Sequence, residues 1–163
     1  MIFSVRLLGA VALTSLAMIG CAPTSARSAD NQAEAKPAAA ATVALDIRTA
    51  KGVVHYKVEV ATTGEEQARG LMYRTSLPDH GGMIFPMMPP RFAAFWMKNT
   101  YISLDLIFIR PDGTIARIAA NAVPEKLDPI ESGEPVSAVL EIIGGGAVAN
   151  GIAVGDKVTW KKP

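Results

Sequence analysis

Cysteine is almost absent from this chain of 163 residues, which contains only Cys21. The residues after it can therefore form neither an internal disulfide nor a thiol nucleophile. An excess of either charge is also missing, because basic and acidic residues are equal in number from Thr42 onward. A neutral domain has no electrostatic reason to bind nucleic acid, so we expect no nucleic-acid partner.

Long apolar runs are missing after the first 20 residues. Met1–Gly20 has Arg6 near its start, followed by an apolar run from Leu7 to Ile19. This run is too short to span a bilayer comfortably, and its layout is typical of a signal peptide. The sequence therefore predicts an exported protein.

The single cysteine directly follows this apolar run and Gly20, which resembles the lipobox of bacterial lipoproteins. In a lipobox the thiol receives a diacylglycerol, although here Met18 stands where Leu or Val is usual. We expect residues 1–21 to be a signal peptide with a lipobox-like end. We also expect an acylated Cys21 to bind the lipid bilayer at the periplasmic face of the outer membrane. The alternative is plain cleavage after Ala22 or Ala26, which would discard Cys21.

The next segment differs in composition from the rest of the chain. Residues 22–41 are rich in Ala, with Ser, Pro, Asn and Gln, and their small side chains cannot build a core. We predict a disordered tether there. Residues 42–163 are long enough to form a single β-rich domain.

Alternation of apolar and polar residues predicts most of the strands in this domain. A capping box at Thr63 and Glu66 predicts a short helix that Gly70 ends, and Gly144–Gly151 has room for a helical turn. The predicted strands are Val43–Ile47, Val54–Val60, Phe92–Lys98, Leu104–Arg110, Thr114–Ala120, Val136–Ile143 and Lys157–Trp160. Leu77–Arg91 is predicted to be a loop because of its prolines and glycines. The fold class is thus mainly β, a compact sandwich or barrel of about seven to eight strands with one or two short helices.

Two acidic residues lie in strands that are otherwise apolar. Asp105 shares a strand face with Ile107 and Ile109, and Glu141 lies between Val139 and Ile143. A buried acid needs a cation or an amide donor nearby, or its pKa rises. Lys98, Arg74 and Asn99 are candidates for that pairing.

A binding site is one interpretation of these residues. Arg74, Lys98, Asn99 and Asp105 would form a polar pocket, with Trp96 or Met97 as its apolar wall and Glu141 as a neighbour. Lys98 and Arg74 favour an anionic or carbonyl-bearing ligand, because both are donors without acceptors. The function predicted from this site is binding of a small molecule or a peptide in the cell envelope.

Two other functions are compatible with the same residues. Asp105 and Glu141 could form the carboxylate pair of a hydrolase, as in glycosidases. Alternatively, the two acids hold loop amides or a salt bridge, and the domain is a structural module of the envelope. Nucleophile-elbow, phosphate-loop and dinucleotide motifs are missing, so we predict no cofactor.

A third possibility is Cu(I) handling. His80, Met83, Met87, Met88 and Met97 lie within eighteen residues, and thioethers with a histidine suit Cu(I) in an exported protein. Methionine is also a common core filler, and no pair has a spacing diagnostic of copper.

Several motifs together resemble the family called domain of unknown function 192. They are Gly70–Arg74, Gly82–Phe85, Phe95–Thr100 with Leu104-Asp105, Pro111–Gly113, Val139–Glu141 and Gly151–Asp156. The resemblance implies a small, mainly β domain that is often exported and has no established activity. Many members carry a Cys pair around the Asp-Pro of the second loop, whereas Leu127–Ile130 contains none. A role for those cysteines cannot apply to this protein.

Overall fold

The structure, a computed structural model, describes residues 42–161. The predicted signal peptide, the predicted lipidation site at Cys21 and the predicted tether lie outside the described residues. Within residues 42–161, no helix is long and apolar enough to cross a membrane.

The described residues form nine strands and two short helices, which confirms the mainly β class. Seven strands make one sheet in the order β6-β5-β8-β3-β2-β1-β9, and β4 pairs with β7 in a second, small sheet. The elements are β1 Thr42–Thr49, β2 Gly52–Val60, α1 Gly64–Arg69, β3 Gly81–Arg91, β4 Ala94–Phe95, β5 Leu104–Ile109, β6 Ile115–Ala122, β7 Ile130–Glu131, β8 Val136–Ile143, α2 Gly146–Ala149 and β9 Lys157–Trp160.

The large sheet is sandwich-like and does not close into a barrel. Next to its edge strands β6 and β9, an isolated bridge joins Thr114 to Lys157, and no continuous strand pairing closes the sheet within residues 42–161. All neighbouring strands of the large sheet are antiparallel except β2 and β3, which are parallel. A parallel pair needs a crossover, and residues 61–80 with α1 supply it.

Each face of the sheet has its own hydrophobic core. The first core includes Leu45, Val58, Ile84, Ile107 and Leu140. The second core includes Phe85, Met97, Leu106, Phe108 and Val139. Two apolar faces explain why β5 and β8 are buried along almost their whole length.

The predicted capping box forms as expected. The Thr63 hydroxyl accepts from the Glu66 backbone N–H at 3.1 Å, and the Glu66 carboxylate accepts from the Thr63 backbone N–H at 2.8 Å. Gly70 ends the helix with φ of 48°. Because α1 buries none of its own residues, this cap supplies much of its local stabilisation.

Two strand predictions are wrong. The segment predicted as a loop, Leu77–Arg91, contains the longest strand, β3. Its prolines are tolerated because pairing with β2 ends at Ile84, so Pro86 and the later prolines have β8 as their only neighbouring strand. Conversely, the predicted strand Phe92–Lys98 is reduced to Ala94–Phe95, and Asn99 then turns the chain with a left-handed φ of 53°.

Candidate functional site

Asp105 is fully buried and is completely satisfied by backbone amides. One carboxylate oxygen accepts from the N–H groups of Asn121 and Gly145 at 2.7 and 3.0 Å, and the other accepts from Ala147 at 2.9 Å. These three donors belong to the end of β6 and the start of α2. Asp105 therefore fixes two loops to β5, as the structural interpretation of this acid proposed.

Tyr56 shows the electrostatic effect of this buried carboxylate. It lies in the first core, where Asn150 donates a hydrogen bond to its hydroxyl at 3.3 Å. Burial, followed by the negative charges of Asp105 and Asp79, raises the pKa of Tyr56 to about 12. The phenol stays protonated at every physiological pH.

Glu141, unlike Asp105, is buried without a hydrogen-bond partner within residues 42–161. Its residue is 5% exposed, and no cation or hydrogen-bond donor within residues 42–161 contacts its carboxyl group. Burial alone raises the pKa of Glu141 to about 8, so the group is mostly neutral at pH 7. Its oxygens keep a small contact with an adjoining cavity.

The two acids do not share a site. In the β5–β8 pair, Asp105 is opposite Ile142 and Glu141 is opposite Leu106. Directly opposed residues point to the same side of a sheet, and successive residues point to opposite sides. Asp105 therefore belongs to the face of the first core and Glu141 to that of the second. The structure does not bring together the carboxylate pair of the hydrolase hypothesis.

The cavity beside Glu141 has a volume of about 470 Å³. Its apolar wall includes Leu71, Phe85, Met87, Phe95 and Trp96, and its polar groups include Gln67, Arg69, Arg91, Thr100 and Glu141. The rings of Phe85 and Phe95 meet edge to face with centroids 5.1 Å apart. A concave surface that combines apolar side chains with convergent polar groups is typical of ligand sites.

Gln67 positions one side of the cavity mouth. Its side-chain amide donates to the carbonyl oxygens of Ala61 and Pro86 at 3.2 and 3.1 Å, which ties α1 to the middle of β3. Its amide oxygen lies 3.5 Å from Nη2 of Arg91. Arg69 and Arg91 are exposed, and neither forms an ion pair with a carboxylate within residues 42–161.

Close backbone contact supports the strand that carries Glu141. A Cβ atom at Gly82 of β3 would lie 2.3 Å from the carbonyl oxygen of Glu141, far below van der Waals contact. Only glycine fits there. The β3–β8 pairing that positions the floor of the cavity therefore requires Gly82.

Arg74 lies outside the cavity lining and has a partner that the sequence did not reveal. Its guanidinium forms two parallel hydrogen bonds with the Glu59 carboxylate, at 2.6 and 2.7 Å. This bidentate geometry joins the crossover to β2. Arg74 is thus not placed with Asp105, as the predicted polar pocket required.

The other predicted binding residues surround one turn. Met97 is buried in the second core, whereas Trp96 is 49% exposed and Lys98 lies over its ring at 5.1 Å from the centroid. The Asn99 side chain donates to the Tyr73 hydroxyl at 2.8 Å. Of the predicted binding residues Trp96, Met97, Lys98 and Asn99, it is Trp96 that lines the cavity.

The candidate copper residues are divided between different environments. Met83, Met87 and Met97 are part of the second core, and Met88 is 77% exposed. The ring of His80 stacks on Tyr56, which belongs to the first core, with centroids 5.3 Å apart. His80 thus contacts the first core, whereas Met83, Met87 and Met97 belong to the second. Within residues 42–161, no group of three or more His, Cys, Asp or Glu side chains could hold a metal ion.

Sequence reasoning missed four polar residues of the cavity: Gln67, Arg69, Arg91 and Thr100. Three of them lie in the predicted helix or in the predicted proline-rich loop, where a charge or an amide is ordinarily solvent-exposed. Only the capping box gave a signal, because it fixed where α1 begins. The convergence of these residues depends on the crossover, which the alternation pattern does not encode.

Comparison with known proteins supports the fold and adds no activity. The family model for domain of unknown function 192, described as an uncharacterised family, matches residues 46–160. A crystal structure of a protein of unknown function from Novosphingobium aromaticivorans is 46% identical, with a TM-score of 0.74, and the match covers 77% of this chain and 89% of that one.

A second crystal structure, from Sinorhizobium meliloti, is 38% identical with a TM-score of 0.73, and the match covers 76% of this chain and 96% of that one. That protein carries the provisional description of a transcription regulator. No protein with a curated description matches. The family match extends over most of the chain and confirms the resemblance seen in its motifs, so the chain belongs to the domain of unknown function 192 family.

Proposed function

We propose that this protein binds a small organic molecule in the cavity above Glu141, as an exported and lipid-anchored module of the cell envelope. The observation that carries the proposal is the Glu141 carboxyl group, which is buried, has no partner within residues 42–161 and contacts a cavity of about 470 Å³. A buried polar group without a partner costs about 1–3 kcal/mol, so a ligand that supplies the partner gains that energy.

The protonation state of Glu141 defines what it can recognise. A neutral carboxyl group has one O–H donor and keeps acceptor capacity. It therefore matches a carbonyl or hydroxyl group of a ligand. The apolar wall formed by residues such as Phe85 and Phe95 supports an apolar ligand body next to that group.

Variants at Glu141 test the site. A library of carbonyl- and hydroxyl-bearing fragments is screened against the full chain by ligand-observed NMR. Glu141→Leu removes the hydrogen-bonding group, and we expect it to weaken the fragments that bind by roughly tenfold or more. Glu141→Gln keeps a donor and an acceptor and is expected to retain binding within about threefold.

Glu65→Leu is the matched control, because Glu65 is an exposed glutamate of α1 that does not line the cavity. Fragments that bind Glu141→Leu as tightly as the original chain would disprove the proposed site. A library with no binder at all would favour the structural-module hypothesis.

The predicted anchoring is tested separately. The full chain and Cys21→Ala are expressed in a Gram-negative host with labelled palmitate. We expect label and outer-membrane fractionation in the original chain, and loss of both in the variant. Labelling that persists in Cys21→Ala, or an unlabelled original chain recovered in the periplasm, would contradict lipidation.

Nucleic-acid binding, which the description of the Sinorhizobium meliloti relative suggests, is less well supported. The residues from Thr42 onward have no net charge. Proteins that neutralise phosphates concentrate Lys and Arg on one surface, and electrostatic attraction dominates their affinity.

A further inference from the structure

We infer that the ligand of this cavity is an organic monoanion that binds in one orientation, with its charged group at the mouth between Arg69 and Arg91 and an uncharged acceptor at Glu141. This inference rests on the proposed function and adds to it the charge and the direction of the ligand.

Two cationic side chains, Arg69 and Arg91, lie at the mouth of the cavity. Arg69 is the last residue of α1 and Arg91 the last of β3, and both line the cavity. Gln67 accepts from Arg91 on one side and is itself fixed to two backbone carbonyls, which restrains that side of the mouth. Because neither guanidinium group has a carboxylate partner in the described part of the chain, both can donate hydrogen bonds to an anionic ligand.

The floor of the cavity, at Glu141, disfavours a negative charge. Glu141 is 95% buried in β8 and faces the second core, where its strand neighbours are Met83 and Leu106. The desolvation that keeps the Glu141 carboxyl group neutral also disfavours a carboxylate of the ligand at the same depth. A negative charge is therefore tolerated at the mouth and not at the floor.

The wall of the cavity between its mouth and its floor is apolar. Phe85, Met87 and Phe95 line it, and none of them offers a side-chain hydrogen bond. The middle of the ligand must then be apolar. A ring or a short aliphatic chain with an anionic group at one end and a carbonyl at the other satisfies all three zones.

Three probes of similar shape separate the contribution of the anionic group from that of the carbonyl group. Para-acetylbenzoate carries the anion and the carbonyl, para-acetylbenzamide lacks the charge, and para-isopropylbenzoate lacks the carbonyl. We expect para-acetylbenzoate to bind the full chain roughly tenfold more tightly than either of the others in calorimetry, with its advantage over the amide falling as salt rises.

Variants assign each end of the probe. The double variant Arg69→Ala/Arg91→Ala should remove the preference for acid over amide. Glu141→Leu should remove only the preference for acetyl over isopropyl. Arg48→Ala is the matched control, since Arg48 is an exposed arginine of β1 that does not line the cavity.

The outcomes distinguish the inference from the proposed function. Equal binding of acid and amide, or a preference that survives the double arginine variant, would overturn the orientation while Glu141-dependent binding still supported the site. If none of the three probes binds up to its solubility limit, or if Glu141→Leu changes no affinity, the proposed function itself fails.

Discussion

Asp105 and Glu141 are both buried acids on the central strands of one sheet, and they differ in almost everything else. Asp105 accepts three backbone hydrogen bonds on the face of the first core. Glu141 lies on the other face and receives none within residues 42–161. Local sequence does not separate them, because each is a single acid in a run of branched apolar residues.

The difference shows that one fold can accommodate a buried acidic residue in two ways. At Asp105 the fold supplies donors from two loops, and the acid in turn holds those loops in place. At Glu141 the fold supplies burial only, and the group responds by keeping its proton. The first arrangement contributes to stability, and the second leaves hydrogen-bonding capacity available to a ligand.

The largest expected effect in this comparison is the loss of Asp105. Asp105→Ala leaves three backbone N–H groups without their acceptor, and we expect the free energy of unfolding to fall by roughly 4 kcal/mol. Urea denaturation of the full chain measures this. Asp128→Ala, at an exposed acid with a long 3.8 Å contact to Lys126, is the control and should change it by less than about 0.5 kcal/mol. A loss below about 1 kcal/mol for Asp105→Ala would remove the distinction between the two acids.

The second effect concerns the pH dependence that Glu141 imposes. Burial raises the pKa of its carboxyl group from 4.5 to about 8, so between these values the folded state holds a proton that the unfolded state has released. Stability from this group is therefore complete below pH 4.5 and is lost progressively as the pH rises through 8; between pH 4.5 and 7 the loss is on the order of 3 kcal/mol. Denaturation across this pH range measures the slope.

Glu141→Gln should flatten that slope, because an amide does not titrate. Glu65→Gln, at an exposed glutamate, should leave it unchanged. A slope that persists in Glu141→Gln would show that another group causes it.

The smallest effect concerns a third acid, Glu59. Its partner is Arg74, which the sequence suggested as a partner for Asp105 or Glu141. Its bidentate pair with Arg74 is partly exposed, with 33% of the arginine side chain accessible. We expect a double-mutant cycle of Arg74→Ala and Glu59→Ala to give a coupling energy of about 1 kcal/mol. Arg74→Ala should not change the affinity for any fragment that binds near Glu141. A change in that affinity would show that Arg74 contributes to the binding site.

Much of the fold could be predicted because alternation and turn chemistry act locally. Val136–Ile143 and Lys157–Trp160 match the observed strands residue for residue, and the capping box of Thr63 and Glu66 forms. The strand β3 was missed because its prolines are unfavourable in a strand with two neighbours, and sequence does not show where pairing on one side stops.

The site was only partly predictable because it depends on contacts distant in sequence. The need of Asp105 for partners follows from its apolar strand face, and amide donors were among the alternatives. That these donors come from residues 121, 145 and 147 does not follow from any local pattern. In the same way, Arg69 and Arg91 line the same cavity only because the crossover returns the chain beside β2.

The helix α1 has a consequence for how this family can change. It borders the cavity, yet it buries none of its residues and is tied to the sheet through Gln67. Substitutions or insertions in α1 can therefore alter the mouth without disturbing either core. If the cavity binds a ligand as proposed, its ligand preference can change through this helix while the strands of the sheet stay the same.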